Sequence, residues 1–229
     1  RRHTRWNCDW SSDVCSSDLN PGMRGGTRSP ADFHRELSRM VDHAQRTEMK
    51  LELLRRFRHR EVLRIGVRDI VGLAGLRETA REFSHLADAC VQKCCEICGA
   101  GVLTPDDAGR IAVVAMGKLG GEELNYSSDI DLLFVADNVS DSDLRRLQKF
   151  AEAVVSGLSK EMQNGRVFRV DMRLRPEGRF GPLVRTLDSY RAYYESWAET
   201  WEIQALIKAR PIAGDTRLGR AFVEMVRPF

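Results

Sequence analysis

Two aspartates at the head of an apolar run place the strongest constraint on what this chain can form. Asp129 and Asp131 lead into Leu-Leu-Phe-Val at 132–135, a run typical of a buried β-strand. Residues two apart in a strand point to the same face, so both carboxylates are expected to lie side by side while Ile130 points away. Two such charges repel each other unless a divalent cation binds both of them. The pattern therefore predicts a Mg²⁺ site.

A turn that contains several glycines precedes the acidic strand. The apolar run at 111–115 is typical of a first strand, and Gly117, Gly120 and Gly121 follow it directly. Glycine has no Cβ, so the backbone can turn tightly and approach a ligand, and successive N–H groups in such a turn bind phosphate. Together these features predict metal-dependent phosphoryl or nucleotidyl transfer. The simpler alternative is that the two acids cap a strand end in solvent.

A further aspartate lies in a third predicted strand at 166–174, where Asp171 and Arg173 share one face. The spacing alone leaves two explanations of Asp171, a catalytic carboxylate or an ion pair. The candidate ion-pair partners are Arg169, Arg173 and Arg175.

Three motifs resemble those of a single family. They are GKLGGEELNYSSDIDL at 117–132, FRVDMRLRPEG at 168–178 and WEIQALIKAR at 201–210. All three resemble the bacterial glutamine synthetase adenylyltransferase/adenylyl-removing enzymes, and the resemblance covers most of the chain from about residue 33 onward. It implies an α/β (α+β) fold of the DNA-polymerase-β-like nucleotidyltransferase type, with a mixed sheet, flanking helices and a preceding helical segment.

The resemblance also implies roles for individual residues. Asp171 would join Asp129 and Asp131 as a catalytic, metal-binding carboxylate, because three carboxylates can hold two metal ions. The residues implied in nucleotide or phosphate binding are Lys118, Gly120, Gly121, Ser128, Arg173 and Arg175.

The activity implied by the resemblance is the removal of AMP from a tyrosine of glutamine synthetase by phosphorolysis, or its addition from ATP. The motif at 168–178 and Gly-Pro-Leu at 181–183 look closer to the AMP-removing half of the family. The implied cofactor is Mg²⁺, with ATP, or ADP and phosphate, as substrates. The implied partners are glutamine synthetase and a PII-type signalling protein. The alternatives are a nucleotidyltransferase for another protein or a small molecule, and a non-catalytic regulatory nucleotide-binding module.

Composition argues against several other classes of protein. The formal net charge is only +3 over 229 residues, whereas a general nucleic-acid binder is usually far more basic. No apolar run reaches the roughly 18 residues of a membrane span. The first residues also lack the apolar stretch of a signal peptide. We therefore expect a cytoplasmic protein that binds neither nucleic acid nor membrane.

The chain divides into three predicted regions. Residues 1–30 contain a Ser-Ser-Asp repeat and several Gly. They are interpreted as either a foreign segment or a natural disordered extension, and no packed structure is expected there. Residues 31–104 are expected to be helical. Residues 105–229 are expected to form the nucleotidyltransferase domain, which the resemblance implies is cut short at its C-terminal end. Within this domain, one long helix is predicted over 187–209.

Two clusters in the helical region need an interpretation. Cys90, Cys94 and Cys98 lie on one helix stripe, and we expect packed free thiols, because zinc sites usually show Cys-x-x-Cys pairs. The arginines of 49–65 are expected to face solvent or to pair with Glu52 and Glu61, with phosphate binding as the alternative.

Overall fold

The computed structural model describes residues 26–162 and 164–229. Most of the segment 1–30 therefore lies outside the described residues. Where that segment is described, Arg28 Nη1 donates to the carboxylates of Glu36 and Glu61 at 2.6 and 2.9 Å. Packing thus begins a few residues before the predicted boundary.

Three helices form the first layer, as the apolar spacing of residues 31–104 predicted. They are α1 (Pro30–Val41), α2 (Thr47–Ile70) and α3 (Leu76–Gly99). The Ser29 hydroxyl accepts a hydrogen bond from the Asp32 N–H and so fixes the start of α1. No helix in the described part of the chain is both long and apolar enough to cross a membrane.

The rest of the chain alternates short strands with helices. Single 3₁₀ turns lie at Gly178–Phe180 and Leu206–Lys208. The elements are α4 (Pro105–Ala108), β1 (Ile111–Met116), α5 (Gly117–Gly120), β2 (Ile130–Ala136), α6 (Asp141–Ser159), β3 (Val170–Asp171), β4 (Val184–Thr186), α7 (Leu187–Ser196), α8 (Thr200–Ala205), β5 (Arg210–Gly214) and α9 (Thr216–Val226).

These strands form one mixed sheet in the order β3-β2-β1-β5, which confirms the predicted mixed sheet. The strand β1 runs antiparallel to both β2 and β5. On the far side of β2, β3 and β4 both run parallel to it, β3 beside its first residues and β4 beside its last. The start of β2 therefore lies between the end of β1 and β3.

Both faces of the sheet are buried, which explains why β1 reads as a continuous apolar run. Val113 and Ala115 belong to a core shared with α1, α2, α3 and α6. Val114 and Met116 pack on the other face with residues of α7 and α9. Because the first core contains residues from both sides of position 104, the helical segment and the sheet pack as one body.

Three features of this part of the chain differ from the sequence expectations. The long helix over 187–209 is interrupted, because α7 ends at Ser196 and a new short helix begins at Thr200. The chain then forms β5, a strand that the pattern did not predict. Pro211 lies in this strand, and the ladder with β1 shifts register between Val113 and Val114. Proline has no N–H to donate to a sheet ladder, so Pro211 argued against a strand at this position. An edge strand nevertheless tolerates a proline. The third strand is likewise shorter than 166–174.

The cysteine stripe of α3 is buried as free thiols, as expected. Cys94 Sγ lies 3.9 Å from Cys98 Sγ, within hydrogen-bonding distance for sulfur, and the two form no disulfide. Burial raises the pKa of the Cys90 and Cys95 thiols, which keeps them neutral. Over the described ranges, no group of three His, Cys, Asp or Glu side chains is arranged to hold a metal ion. The cysteines therefore act as small core residues.

Candidate active site

Asp131, the second residue of β2, lies beside the turn that leaves β1. Gly117 begins α5 with a positive φ of 54°, a conformation that L side chains rarely adopt. A Cβ at Gly117 would lie only 2.5 Å from Asp131 Oδ2. Glycine is thus required here for two reasons, the backbone angle and the close approach of the carboxylate.

The three predicted carboxylates occupy neighbouring positions. The parallel ladder places Asp131 directly opposite Asp171, and Asp129 precedes Asp131 by two residues. The pKa of Asp131 is raised to about 6, by burial first and then by the negative charges of Asp171 and Asp129. The structure thus brings together the three predicted acids, and the charges of the other two act on Asp131.

Arginines neutralise the two outer acids of this group. Arg169 Nε donates to Asp129, and Arg169 Nη2 donates to the Ser127 carbonyl at 2.5 Å. Arg173 donates to Asp171 through Nε and Nη2 at 2.8 and 2.6 Å. This ion pair holds the pKa of Asp171 below its usual range. The ion pair considered for Asp171 from spacing alone is therefore present, with Arg173 as the partner.

The predicted divalent cation requires oxygen ligands, which the three aspartates could supply. Within the described residues, Asp131 has neither a hydrogen-bond nor an ion-pair partner, so its oxygens have no competing contact. Carboxylate oxygens are the ligands that Mg²⁺ prefers, and the like charges around Asp131 are what a cation would offset. Asp129 and Asp171 are turned towards arginines, and both of these arginines are largely exposed. The donor types fit the cation. In the described residues, however, the three carboxylates are not gathered into a metal-binding group, and Asp129 and Asp171 are paired with arginines instead.

The predicted phosphate-binding glycines differ in what surrounds them. Gly120 is buried, and a Cβ there would lie 2.0 Å from the Lys208 carbonyl oxygen. A Cβ at Gly121 would meet only side-chain atoms of Lys208, the nearest at 2.9 Å, and of Glu123. The absence of a side chain at Gly120 is thus required by packing against the 3₁₀ turn at Leu206–Lys208. Its predicted contact with a nucleotide stays a prediction.

The other predicted phosphate ligands lie at different depths. Lys118 is exposed, and its charge acts to lower the pKa of Asp131, so it lies near the carboxylates. Ser128 is partly buried, and its hydroxyl donates to Asn125 Oδ1 at 2.6 Å. Arg173 is exposed beside Asp171. These three residues remain candidates for contact with a bound phosphate.

Arg175 has a structural role that the sequence analysis did not assign to it. Its guanidinium is buried and donates to the Gly181 carbonyl from Nε and Nη2 at 3.2 and 3.1 Å. Its Nη1 donates to the Met172 carbonyl at 2.8 Å. Because its guanidinium N–H groups donate to these backbone carbonyls, Arg175 holds the loop after β3 in place. We do not include it among the proposed phosphate contacts.

Arg210 positions the turn of α5, a role that no local pattern indicated. Its guanidinium pairs with Asp88 on α3 at 2.7 and 3.0 Å. It also donates to the carbonyls of Leu119 and Gly120 at 2.9 and 3.2 Å. The partners lie about 90 or more positions away in the sequence, so no spacing rule could have found them.

The chain is similar to proteins of one bacterial family. A family model described as glutamate-ammonia ligase adenylyltransferase matches residues 11–225, a range that includes much of the segment 1–30. A relative from Streptomyces avermitilis is 41% identical over 235 residues, which cover 99% of this chain and 22% of the relative. Relatives from Cutibacterium acnes and Mycobacterium tuberculosis are 44% and 39% identical, cover 76% and 86% of this chain, and are matched over 18% and 20% of their own lengths.

All three relatives are named bifunctional glutamine synthetase adenylyltransferase/adenylyl-removing enzyme. The chain spans about a fifth of the length of these curated relatives. The family model covers nearly all of the residues that form the sheet and the acidic cluster. The chain therefore belongs to the glutamate-ammonia ligase adenylyltransferase family.

Proposed function

We propose that this chain carries a metal-dependent nucleotidyltransferase site that removes AMP from a tyrosine of glutamine synthetase by phosphorolysis, or adds AMP from ATP. The observation that carries the proposal is the pairing of Asp131 with Asp171 across neighbouring strands, with Asp129 two residues away. Such a cluster of like charges, with a raised pKa at its centre, is typical of a site built to bind a cation. The names of the relatives supply the reaction and the substrate protein.

Each carboxylate has a distinct part in the proposed site. Asp129, Asp131 and Asp171 would hold Mg²⁺, which when bound supplies positive charge to the phosphate oxygens of the reacting AMP group. The missing Cβ of Gly117 leaves the space that Asp131 needs at the edge of the sheet. Arg173 and Lys118 lie where a phosphate near the carboxylates would meet positive charge. The side chains themselves form no covalent bond to the substrate.

In the removing direction, an oxygen of inorganic phosphate attacks the phosphorus of the tyrosine-bound AMP. The new bond joins the two phosphorus atoms through that oxygen, and the bond between phosphorus and the tyrosine oxygen breaks. The phosphate proton ends on the tyrosine oxygen, so that HPO₄²⁻ and tyrosyl-AMP give ADP and free tyrosine. In the adding direction, the tyrosine oxygen attacks the α-phosphorus of ATP, and the bond from that phosphorus to the oxygen bridging the β-phosphorus breaks. Pyrophosphate leaves and takes up the tyrosine proton.

The motifs at 168–178 and 181–183 favour the removing direction. The mixed sheet, with acids on adjacent strands, supports a DNA-polymerase-β-like nucleotidyltransferase fold. We further propose a cytoplasmic location and control by a PII-type signalling protein, both from the family resemblance.

Two assays on the full chain test the proposal. Adenylylated glutamine synthetase is incubated with Mg²⁺ and phosphate, and the unmodified enzyme with Mg²⁺ and ATP, and tyrosine-bound AMP is followed by mass spectrometry. Loss of AMP with release of ADP supports removal, and gain of AMP supports addition. No change in either assay, with a chain that binds Mg²⁺, would point to a different target for the same site.

The affinity for Mg²⁺ is expected to fall at acidic pH. The pKa of Asp131 without metal is about 6, and only the ionised form can bind the cation. Below pH 6, the apparent dissociation constant should rise by up to about tenfold per pH unit, whereas above pH 7 it should be nearly constant. Isothermal titration with MgCl₂ from pH 5 to pH 8 measures this. A constant affinity across the range would exclude Asp131 as a ligand.

A further inference from the structure

Arg58, on the arginine-rich helix α2, differs from the other arginines of that helix. Arg56 is exposed, whereas most of the other arginines of α2 have acidic partners, as the sequence analysis expected. The pairs are Arg55 with Glu52, Arg60 with Glu36 and Glu61, Arg64 with Glu61 and Glu82, and Arg68 with Glu78. Arg58 is the exception that needs an explanation.

Arg58 has no acidic partner among the residues that the structure describes. Its guanidinium lies over the ring of Phe168, 5.2 Å from the centroid, and its Nε is buried with no hydrogen-bond partner. Burial lowers the pKa of Arg58, in keeping with a guanidinium that has no carboxylate beside it in the described structure. The nearby Cys90 thiol is neutral and supplies no counter-charge. A buried donor of this kind usually has a partner, which can be a protein group, an ordered water or a bound ion.

Arg58 lines a cavity of about 280 Å³ beside the acidic cluster. Two more arginines line it, Arg166 and Arg169, together with Ser127 and Ser128. The Ser127 hydroxyl makes no hydrogen bond within the described chain, so it is available as a donor.

The charges around the cavity leave an excess of positive charge. Arg166 is paired with Glu161, and Arg169 with Asp129. Each pair is neutral, so the uncompensated charge in the cavity is that of Arg58. The remaining N–H groups of the three guanidinium groups form a set of donors suited to an oxyanion.

We propose that this cavity binds inorganic phosphate. An anion there would accept hydrogen bonds from Arg58 and the Ser127 hydroxyl, and would offset the charge that the fold leaves unpaired. The cavity adjoins Asp129 through Arg169, so the bound phosphate lies next to the acidic cluster. The role of this phosphate as the attacking reactant rests on the function proposed above. The binding of phosphate in the cavity is independent of that function.

Titration of sodium phosphate into the full chain, without glutamine synthetase or nucleotide, tests the site. Arg58→Gln is expected to weaken phosphate binding by at least about tenfold, because a charge-assisted donor is lost. Arg56→Gln is the matched control, since Arg56 lies exposed two residues earlier on the same helix. It should leave the affinity for phosphate unchanged. Sulfate, but not chloride, should compete with phosphate.

A second variant covers the case in which Arg58→Gln fails to fold, as judged by circular dichroism. The Arg166 side chain is 39% exposed, and its one ion pair in the described structure is with Glu161, so Arg166→Gln should fold normally. It is expected to weaken phosphate binding by about threefold or more.

The results also separate this site from the proposed function. Arg58-dependent phosphate binding in a chain that neither adds nor removes AMP would support the cavity and refute the reaction. Phosphate binding that is unchanged in both Arg58→Gln and Arg166→Gln would overturn the cavity assignment. It would also be overturned if Arg58→Gln weakened ATP binding while phosphate binding was retained, because the cavity would then hold a nucleotide phosphate.

Discussion

Replacing Asp131 with Asn is expected to reduce turnover by about 10³-fold or more, with the fold intact. The proposed cation contributes several kcal/mol of charge stabilisation in the transition state, and each 1.36 kcal/mol corresponds to about a tenfold change in rate. Asp131 has no hydrogen-bond partner that the substitution would break in the described structure. Asparagine also has almost the same shape, so packing against Gly117 should be kept. The measurement is the initial rate of AMP removal or addition at saturating Mg²⁺.

The same substitution should not lower stability, which separates it from an unfolding variant. The folded-state pKa of Asp131 is raised, so ionisation of this carboxylate opposes folding, and stability falls as pH rises from about 4 to about 6. At pH 8 and without metal, the Asn variant should equal or exceed the parent, by on the order of 1 kcal/mol after solvent screening. Below about pH 3 the two should be alike, because Asp131 is then largely protonated in both folded and unfolded chains.

Asp137→Asn serves as the control for this experiment. Asp137 is exposed just after the last residue of β2 and accepts a hydrogen bond from the N–H of Asn138 at 2.8 Å. It lies beyond the far end of the strand from the acidic cluster, so turnover should remain near the parent value. An Asp131→Asn variant with turnover close to that of Asp137→Asn would remove the basis for the proposed site.

Gly120→Ala is expected to destabilise the chain by about 3 kcal/mol, the upper part of the range for overpacking a tight interior. The new Cβ would lie 2.0 Å from the Lys208 carbonyl oxygen and 2.8 Å from the Ala115 carbonyl oxygen. Both are backbone atoms, so neither can move without displacing β1 or the turn before β5. The free energy of unfolding from urea titration gives the magnitude.

Gly121→Ala is the matched control for this prediction. A Cβ there would first meet Lys208 Cδ, which belongs to a flexible side chain that can swing away. The backbone at Gly121 has φ of −80°, an angle that alanine adopts without strain. Its stability should therefore change by less than about 1 kcal/mol. Equal stabilities for the two variants would show that Gly120 is not held by packing, and would favour a role in ligand contact alone.

Several features of this protein could be predicted from the sequence because they depend on near neighbours. The period of two in a strand placed Asp129 and Asp131 on one face, and the helical period identified the cysteine stripe of α3. The apolar runs predicted β1 and β2 with nearly the bounds that the structure shows. These are local rules, so a single sequence contains all the information that they need.

Tertiary structure alone decided the features that depend on distant contacts. The strand β5 forms because β1 offers it an edge, although its own residues include a proline. The constraint on Gly120 comes from the carbonyl of Lys208, and the turn of α5 is held by Arg210.

Among the arginines of α2, the sequence predicted that acidic partners exist, but not that Arg58 lacks one. The sequence by itself thus determined where β1 and β2 lie and that Asp129 and Asp131 stand together at the start of β2. Only the folded chain decided which glycine is required by packing and which charge is left without a partner. The physical reason is that both depend on atoms brought together from positions far apart along the backbone, and no periodicity encodes such contacts.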